Sequence, residues 1–432
     1  MSIRNSSNIQ HTMDAVSVPS IIEEIRSARN QEYSSHYRVI EGGNIDKYTA
    51  ETALGSGRFA TVWKANNNAG SKKVAIKVYR CGRTNQEYWR NEVKILNIIT
   101  EKIALAGIVP PLIKYHGTFA IVHFDDLLEP NIHPCILFDL AGDSVSQLLK
   151  FCKHEYSAGV PIECSKKIIR DALRGLEFLH SAGLIHTDIK PSNILLDRSI
   201  DSIDGLNFTA LIGDFGSTTP SDNLFSMHVG TDEYIAPELL LERKYTSAID
   251  IWALFVTAFE LITGDKLFDI YKEGGIIYGS DVDEEALEGI LSEDSDSAPE
   301  LIDAAGEVCG GCDGGCEKCC RMDTSGDESS SGSEDPEKLA LIAYRHLLLM
   351  EKVLGPPGRS FTKSARNFYN ARGKLKNNPN VSHKPISKIM IDNYDIAHAE
   401  CTAFEWFLLR GLQYNPADRI SATDALQLQW ID

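Results

Sequence analysis

At 432 residues, with 43% hydrophobic and 24% charged side chains, the chain has the make-up of a soluble globular protein, long enough to bury a sizeable core in two lobes or domains. A net charge of −18 excludes general nucleic-acid binding, which needs a basic footprint, and no apolar run is long enough to cross a bilayer. The acidity is local: between residues 281 and 337, 19 acidic side chains face only Lys318 and Arg321, a balance of −17 that leaves the rest near −1. Such a segment is compatible with a basic partner. No N-terminal charged-then-apolar signal is found, so the ten cysteines are expected to be reduced thiols in an intracellular protein, cytoplasmic and/or nuclear.

Residues 1–40 are polar and rich in Ser and Asn, and read as a flexible leader with a short strand at 36–40 (HYRVI). Leu54-Gly55-Ser56-Gly57-Arg58-Phe59-Ala60-Thr61-Val62 reads as a strand, a tight glycine turn and a returning strand. Gly55 and Gly57 would let the backbone approach phosphate with no side chain in the way, and Val62 would cover a base. Ala60 stands where a third glycine often sits, a change that a small residue tolerates. Alone, G-x-G is a weak signal and a plain hairpin is the default. Downstream, Val74-Ala75-Ile76-Lys77 is an alternating strand whose closing lysine lies 15 residues past Val62; an isolated strand lysine is normally solvated.

Helical spacing of Val93, Leu96 and Ile99 over residues 88–99 places Glu92 on a helix, where it can pair with Lys77 and fix it against the phosphates. Cys135-Ile136-Leu137-Phe138-Asp139-Leu140-Ala141-Gly142 reads as a core strand running into a glycine-marked linker. Backbone groups near Asp139 and Ala141 would bind an adenine edge there, with Phe138 walling the back of the pocket.

The chemistry concentrates in HTDIKPSNILL, residues 186–196, delivered by a helix over 165–181. His186 reads as a packed structural side chain. Asp188 can accept or orient the proton of an attacking hydroxyl, Lys190 can neutralise charge on a transferred phosphoryl group, and Asn193 can hold a metal ion bridging the phosphates. Taken singly these are ordinary loop formers; the matching parts on either side, in order, give them weight. Asp214-Phe215-Gly216 follows a strand at 210–213 and lies 26 residues after Asp188, where Asp214 can bind the phosphate-bridging magnesium. Thr231 is expected to hydrogen-bond near Asp188 and Lys190. Glu238 is expected to form a buried ion pair with Arg419, and Asp250, opening an apolar helix, to brace the backbone of the 186–196 loop.

Across roughly residues 47–432 this set resembles a eukaryotic protein kinase. The resemblance implies an α+β, bilobal fold for a domain over 48–432, with a small β-rich N-lobe at about 48–138 and a larger helical C-lobe at about 142–432. It implies ATP and Mg2+ as cofactors, ATP contacts from Leu54 through Val62 and from Ala75, Lys77, Glu92, Phe138, Asp139 and Ala141, metal ligation by Asn193 and Asp214, and catalysis by Asp188 and Lys190. It also implies a place for Lys77 on the nucleotide α- and β-phosphates. A lysine two residues after the aspartate is the serine/threonine-type pattern.

HYRVIEGG, LGSGRFATVWKA, HTDIKPSN, AFELITGDKLF and LIAYRHLLLMEKVLGPPGRSFTKSARNFYNARGKLK are similar to the SR-protein kinases of the CMGC group. That family phosphorylates serines of Arg-Ser-rich splicing factors and grips arginines in an acidic groove, so a basic, disordered protein substrate is implied, with no direct nucleic acid and no membrane. The chain departs from the family at Ile235, where an arginine is usual, in its short connection between Asp188 and Asp214, and in an insertion after the Asp250 helix. A serine/threonine kinase of another specificity is the runner-up; a pseudokinase scaffold is disfavoured because Lys77, Glu92, Asp188, Asn193 and Asp214 are all present. Thr187 replaces the arginine that often clamps a phosphorylated loop, so activity is expected without phosphorylation between Ser217 and Thr231.

Residues 271–337 read as a disordered acidic insertion within the C-lobe. Cys309, Cys312, Cys316, Cys319 and Cys320 fall inside it and could ligate Zn2+ or an iron–sulfur cluster. Their spacing departs from a zinc ribbon, and a thiol-rich loop without a fixed ligand is the favoured reading.

Overall fold

The computed structural model describes residues 37, 39–70, 72–124, 130–222, 229–271, 336–376 and 381–432. Strands β1 (Asn44–Ile45), β2 (Tyr48–Ser56), β3 (Ala60–Asn67) and β4 (Lys73–Tyr79) precede helix α1 (Arg83–Ala106), and β5 (Tyr115–Phe124) and β6 (Pro130–Asp139) follow it. They join in the order β1-β2-β3-β4-β6-β5, each neighbouring pair antiparallel. Alternation sorts β4 between two faces. Val74, Ile76 and Val78 enter the hydrophobic core with Ile45, Tyr48, Ala50, Ala65 and Cys135. Ala75, Lys77 and Tyr79 take the opposite face, and register sets Lys77 between Val62 of β3 and Ile136 of β6.

Helix α1 starts after Gly82 (φ 107°) and stops at Gly107, whose left-handed φ of 65° suits a residue with no Cβ. It runs past both ends of the 88–99 stretch suggested by apolar spacing, because neither 83–87 nor 100–106 contains a glycine or proline to break it. Its buried stripe is Glu92, Ile95, Leu96 and Ile99, so a carboxylate occupies a core-facing position. Tyr37, Val39 and Ile40 do not form the strand expected at 36–40; Tyr37 and Val39 pack instead on the sheet core. This first unit takes in the described residues up to Asp143, with Leu195–Ser202 and Leu211–Thr218.

The second unit, Ser144–Ile194 with Ile203–Ala210 and Thr219–Asp432, is helical. Helix α2 (Val145–Tyr156) opens with a reciprocal Ser144–Gln147 capping box. Helix α3 (Ile162–Ser181) buries Ile168, Ile169, Ala172, Leu173, Leu176 and Leu179, then hands the chain to a short strand, Leu184–Ile185, paired with Thr219–Pro220. Helix α4 (Ala248–Thr263) is buried almost all round, Asp250 included. Helices α5 (Pro336–Leu354), α6 (Ile386–Asn393) and α7 (His398–Gly411) complete the unit. A Cβ on Gly411 would lie 2.4 Å from the Phe255 ring, so α7 meets α4 where no side chain fits.

Two ionisable groups are buried on α5: burial pushes His346 down to about 4 and Glu351 up to about 7. Among the described residues no helix is long and apolar enough to cross a membrane, and the cysteines Cys81, Cys135, Cys152, Cys164 and Cys401 are free thiols. The five clustered cysteines, the acidic stretch and nearly all of the leader lie outside the described residues.

Candidate active site

In the first unit a strand, a helix and the loop carrying Asp214 bring three charges together. Lys77 Nζ donates to Glu92 Oε1 at 3.0 Å, to Glu92 Oε2 at 2.8 Å and to Asp214 Oδ1 at 2.8 Å. Burial works against the ammonium charge, but Glu92 and Asp214 outweigh it and hold the Lys77 pKa well above its ordinary value. Glu92 also accepts a short hydrogen bond from the Tyr79 hydroxyl. Burial, reinforced by Glu92 and opposed by Lys77, pushes that phenol far up, so it stays a donor. Asp214 adopts φ 56° and keeps half of its side chain in solvent, while Phe215 beside it is buried.

The turn joining β2 and β3 leaves Leu54, Gly55, Ser56, Gly57 and Arg58 exposed; Phe59 is half-buried and Ala60 buried. The Ser56 and Thr61 hydroxyls lie 3.4 Å apart across the hairpin, and the Gly57 amide donates to the Ala60 carbonyl at 2.9 Å. Ala75 and Phe138 are buried and Val62 is half-buried.

At the end of β6 the Asp139 amide is committed to the Lys114 carbonyl at 2.9 Å, and its carboxylate to Lys72 and His116, each at 2.8 Å. The sheet thus uses the Asp139 amide and leaves that residue its carbonyl to face an adenine edge. The Ala141 amide donates to no backbone carbonyl among the described residues.

In the second unit a single loop supplies most of the polar groups. Lys190 Nζ lies 2.8 Å from Asp188 Oδ2 and donates to Thr231 Oγ1 at 2.7 Å. The Thr231 hydroxyl donates in turn to Asp188 Oδ1 at 2.7 Å. Asn193 Nδ2 donates to the Asp188 carbonyl at 2.8 Å and to Asp188 Oδ2 at 3.0 Å, which leaves its amide oxygen as an acceptor.

The loop backbone hangs on Asp250, whose carboxylate accepts from the His186 amide at 2.9 Å and the Thr187 amide at 2.8 Å, with His180 Nε2 2.9 Å away. Thr187 is held at φ 71°, a conformation that costs a residue with a Cβ about 1–2 kcal/mol. His186 is fully buried. Glu238 and Arg419 form a buried two-pronged ion pair, Nη1 to Oε1 at 2.6 Å, and Arg419 also donates to the Ala248 carbonyl.

Tyr79 was not singled out by motif, although its place two residues after Lys77 on an alternating strand puts both on one face. The Tyr234 hydroxyl, donating to Glu260 at 2.5 Å, and the Glu233–Lys266 ion pair also anchor the stretch after Thr231 and carry no sequence signature of their own.

The chain matches the protein kinase domain family over residues 48–431. It belongs to the protein kinase family. This kinase is 24% identical to the "Serine/threonine-protein kinase SRPK" of Physarum polycephalum, across 91% of this chain and 85% of that protein. It is 28% identical to the "Probable dual specificity protein kinase madd-3" of Caenorhabditis elegans over 62% of this chain, and 29% identical to the "Dual specificity protein kinase lkh1" of Schizosaccharomyces pombe over 55%. It spans 30% and 34% of those two longer proteins, about a third of their length. The kinase is a phosphotransferase of the serine/threonine type, of a family that normally uses ATP and Mg2+ and acts on proteins.

Proposed function

We propose that this kinase transfers the γ-phosphoryl group of ATP to serine or threonine hydroxyls in basic, disordered, Arg-Ser-rich proteins. The observation that carries the transfer chemistry is the closed set of bonds around Asp188, which fixes one carboxylate among Lys190, Asn193 and Thr231. Asp188 orients the acceptor hydroxyl and takes its proton; Lys190 offsets charge on the group in transit. In the other unit the glycine turn covers the phosphates and Lys77, steadied by Glu92, binds them. The Asn193 amide oxygen and the Asp214 carboxylate are hard oxygen donors that suit magnesium, which when bound neutralises phosphate charge.

The Arg-Ser preference rests on the stretches similar to SR-protein kinases and on likeness to the Physarum protein along most of both chains. The −17 segment adds negative charge that suits arginine-rich partners. Reduced, free thiols fit an intracellular setting, cytoplasmic and/or nuclear. Ile235, where the group usually has arginine, favours a second reading in which the acceptor sequence differs; arrays of Arg-Ser repeats beside Pro-directed and plain basic peptides separate the two.

The decisive measurement is radiolabelled phosphate transfer to an Arg-Ser peptide by wild type and Asp188→Ala. Turnover is expected to fall by about 10²-fold or more. Equal turnover in the two proteins would remove Asp188 from the reaction.

A further inference from the structure

We propose that the ring pair Phe59–Tyr88 is a latch that makes the glycine turn and helix α1 move together, so that nucleotide affinity and the Lys77–Glu92 pair reinforce each other. The inference rests on the assignment of the turn to nucleotide phosphates.

The turn has little of its own to hold it. Residues 54–58 are exposed, and its backbone is tied at the base, where the Phe59 carbonyl accepts from the Arg80 amide at 3.0 Å and the Gly57 carbonyl from Arg80 Nη2 at 3.3 Å. Phe59 departs from its neighbours. Its ring centroid lies 4.0 Å from that of Tyr88 at 29°, with the Arg58 guanidinium 5.5 Å from the Phe59 centroid. Tyr88 is 39% exposed, and the Phe59 ring stacks on it.

Tyr88 stands four residues before Glu92, one helical turn, so the ring and the carboxylate ride on the same stretch of α1. A shift of α1 that withdrew Glu92 from Lys77 would also pull Tyr88 from Phe59. Conversely, a turn closed over phosphate holds Tyr88, and with it Glu92. Coupling of this kind is reciprocal: whatever strengthens one contact strengthens the other. Tyr88 and Phe59 are therefore positioning residues, acting through the turn and through Glu92.

The test compares Mg·ATP affinity by calorimetry, and KM for ATP against kcat, in Phe59→Ala, Tyr88→Ala, Tyr88→Phe and the double alanine variant of the full chain. Each alanine change is expected to weaken ATP binding about two- to tenfold, the scale of one aromatic pair, while Tyr88→Phe stays close to wild type. The double variant should bind no worse than the weaker single one. Tyr88→Ala binding ATP as wild type does, or losses that simply multiply in the double variant, would overturn the latch alone. Lys77→Met serves as the reference for the underlying assignment: if it too leaves ATP binding unchanged, the assignment of the turn and lysine to nucleotide fails, and the latch with it.

Discussion

The Lys77 cluster of the first unit and the Asp188 cluster of the second are built on opposite plans. Lys77, Glu92 and Asp214 come from a strand, a helix and a loop, with Lys77 and Asp214 separated by 137 residues, so their meeting depends on how α1 and β4 pack. Asp188, Lys190 and Asn193 belong to one short loop, clasped by Thr231 and hung on Asp250. A cluster assembled from distant pieces can be taken apart by moving one of them, whereas a cluster written into one loop persists as long as that loop does. On the function proposed above, control would belong to the first cluster and chemistry to the second.

The largest expected effects test that division directly. Asp188→Ala should lower kcat by about 10²- to 10⁴-fold with little change in KM for ATP, whereas Lys77→Met should raise KM for ATP as well as lower kcat. Matching kinetic signatures for the two variants would erase the contrast. Next comes the brace. Asp250→Ala strips the His186 and Thr187 amides of a charged acceptor and should cost about 2–3 kcal/mol in urea unfolding, with a fall in kcat, because those bonds hold a backbone bent into a left-handed conformation. Because the second cluster is held by Asp250 rather than by a clamp on a phosphorylated loop, phosphatase-treated enzyme should keep most of its activity; near-complete loss would contradict this.

A smaller effect concerns pH. Glu351 sits above its ordinary carboxyl value at about 7, so the folded state holds a proton the unfolded chain releases, and stability falls as pH rises from about 4.5 to 7. His346 sits below its ordinary value at about 4, so the unfolded chain binds the extra proton, and stability rises with pH from about 4 to 6.5. The two slopes oppose each other, each amounting to about 1–3 kcal/mol over its window. Melting curves should therefore be nearly flat from pH 5 to 6.5 in wild type and climb with pH in Glu351→Gln. A flat Glu351→Gln profile would count against a buried, proton-holding Glu351. The smallest change is Tyr79→Phe, which removes one bond to Glu92 and should cost about 1 kcal/mol in stability while leaving KM for ATP within a few-fold.

How far the chain could be read before folding follows the same divide. The loop around Asp188 is legible because its groups are a few residues apart and their spacing is the geometry. The glycine turn and Lys77 are legible because a hairpin and an alternating strand have fixed periods. Glu92 needed a helix face, and the spacing of Val93, Leu96 and Ile99 supplied one; Leu96 and Ile99 are buried as expected, with Glu92 and Ile95 completing the stripe and Val93 at its edge. The fate of the Asp139 amide was not legible, since it depends on Lys114, which precedes β5 and reaches that amide only once the sheet is formed. His346 and Glu351 were missed for a related reason: nothing local says which turn of α5 lies inward, and only packing makes a histidine and a glutamate share a dry interior.

An ammonium group carries three hydrogens, and at Lys77 the two oxygens of Glu92 and one of Asp214 leave none to spare. Any guest phosphate must therefore evict a sitting tenant before it can be gripped. The tenant easiest to move is Asp214, already half in water, rather than the enclosed Glu92. Loading would then be an exchange of one anion for another, with a carboxylate released at the moment a divalent cation arrives to need it.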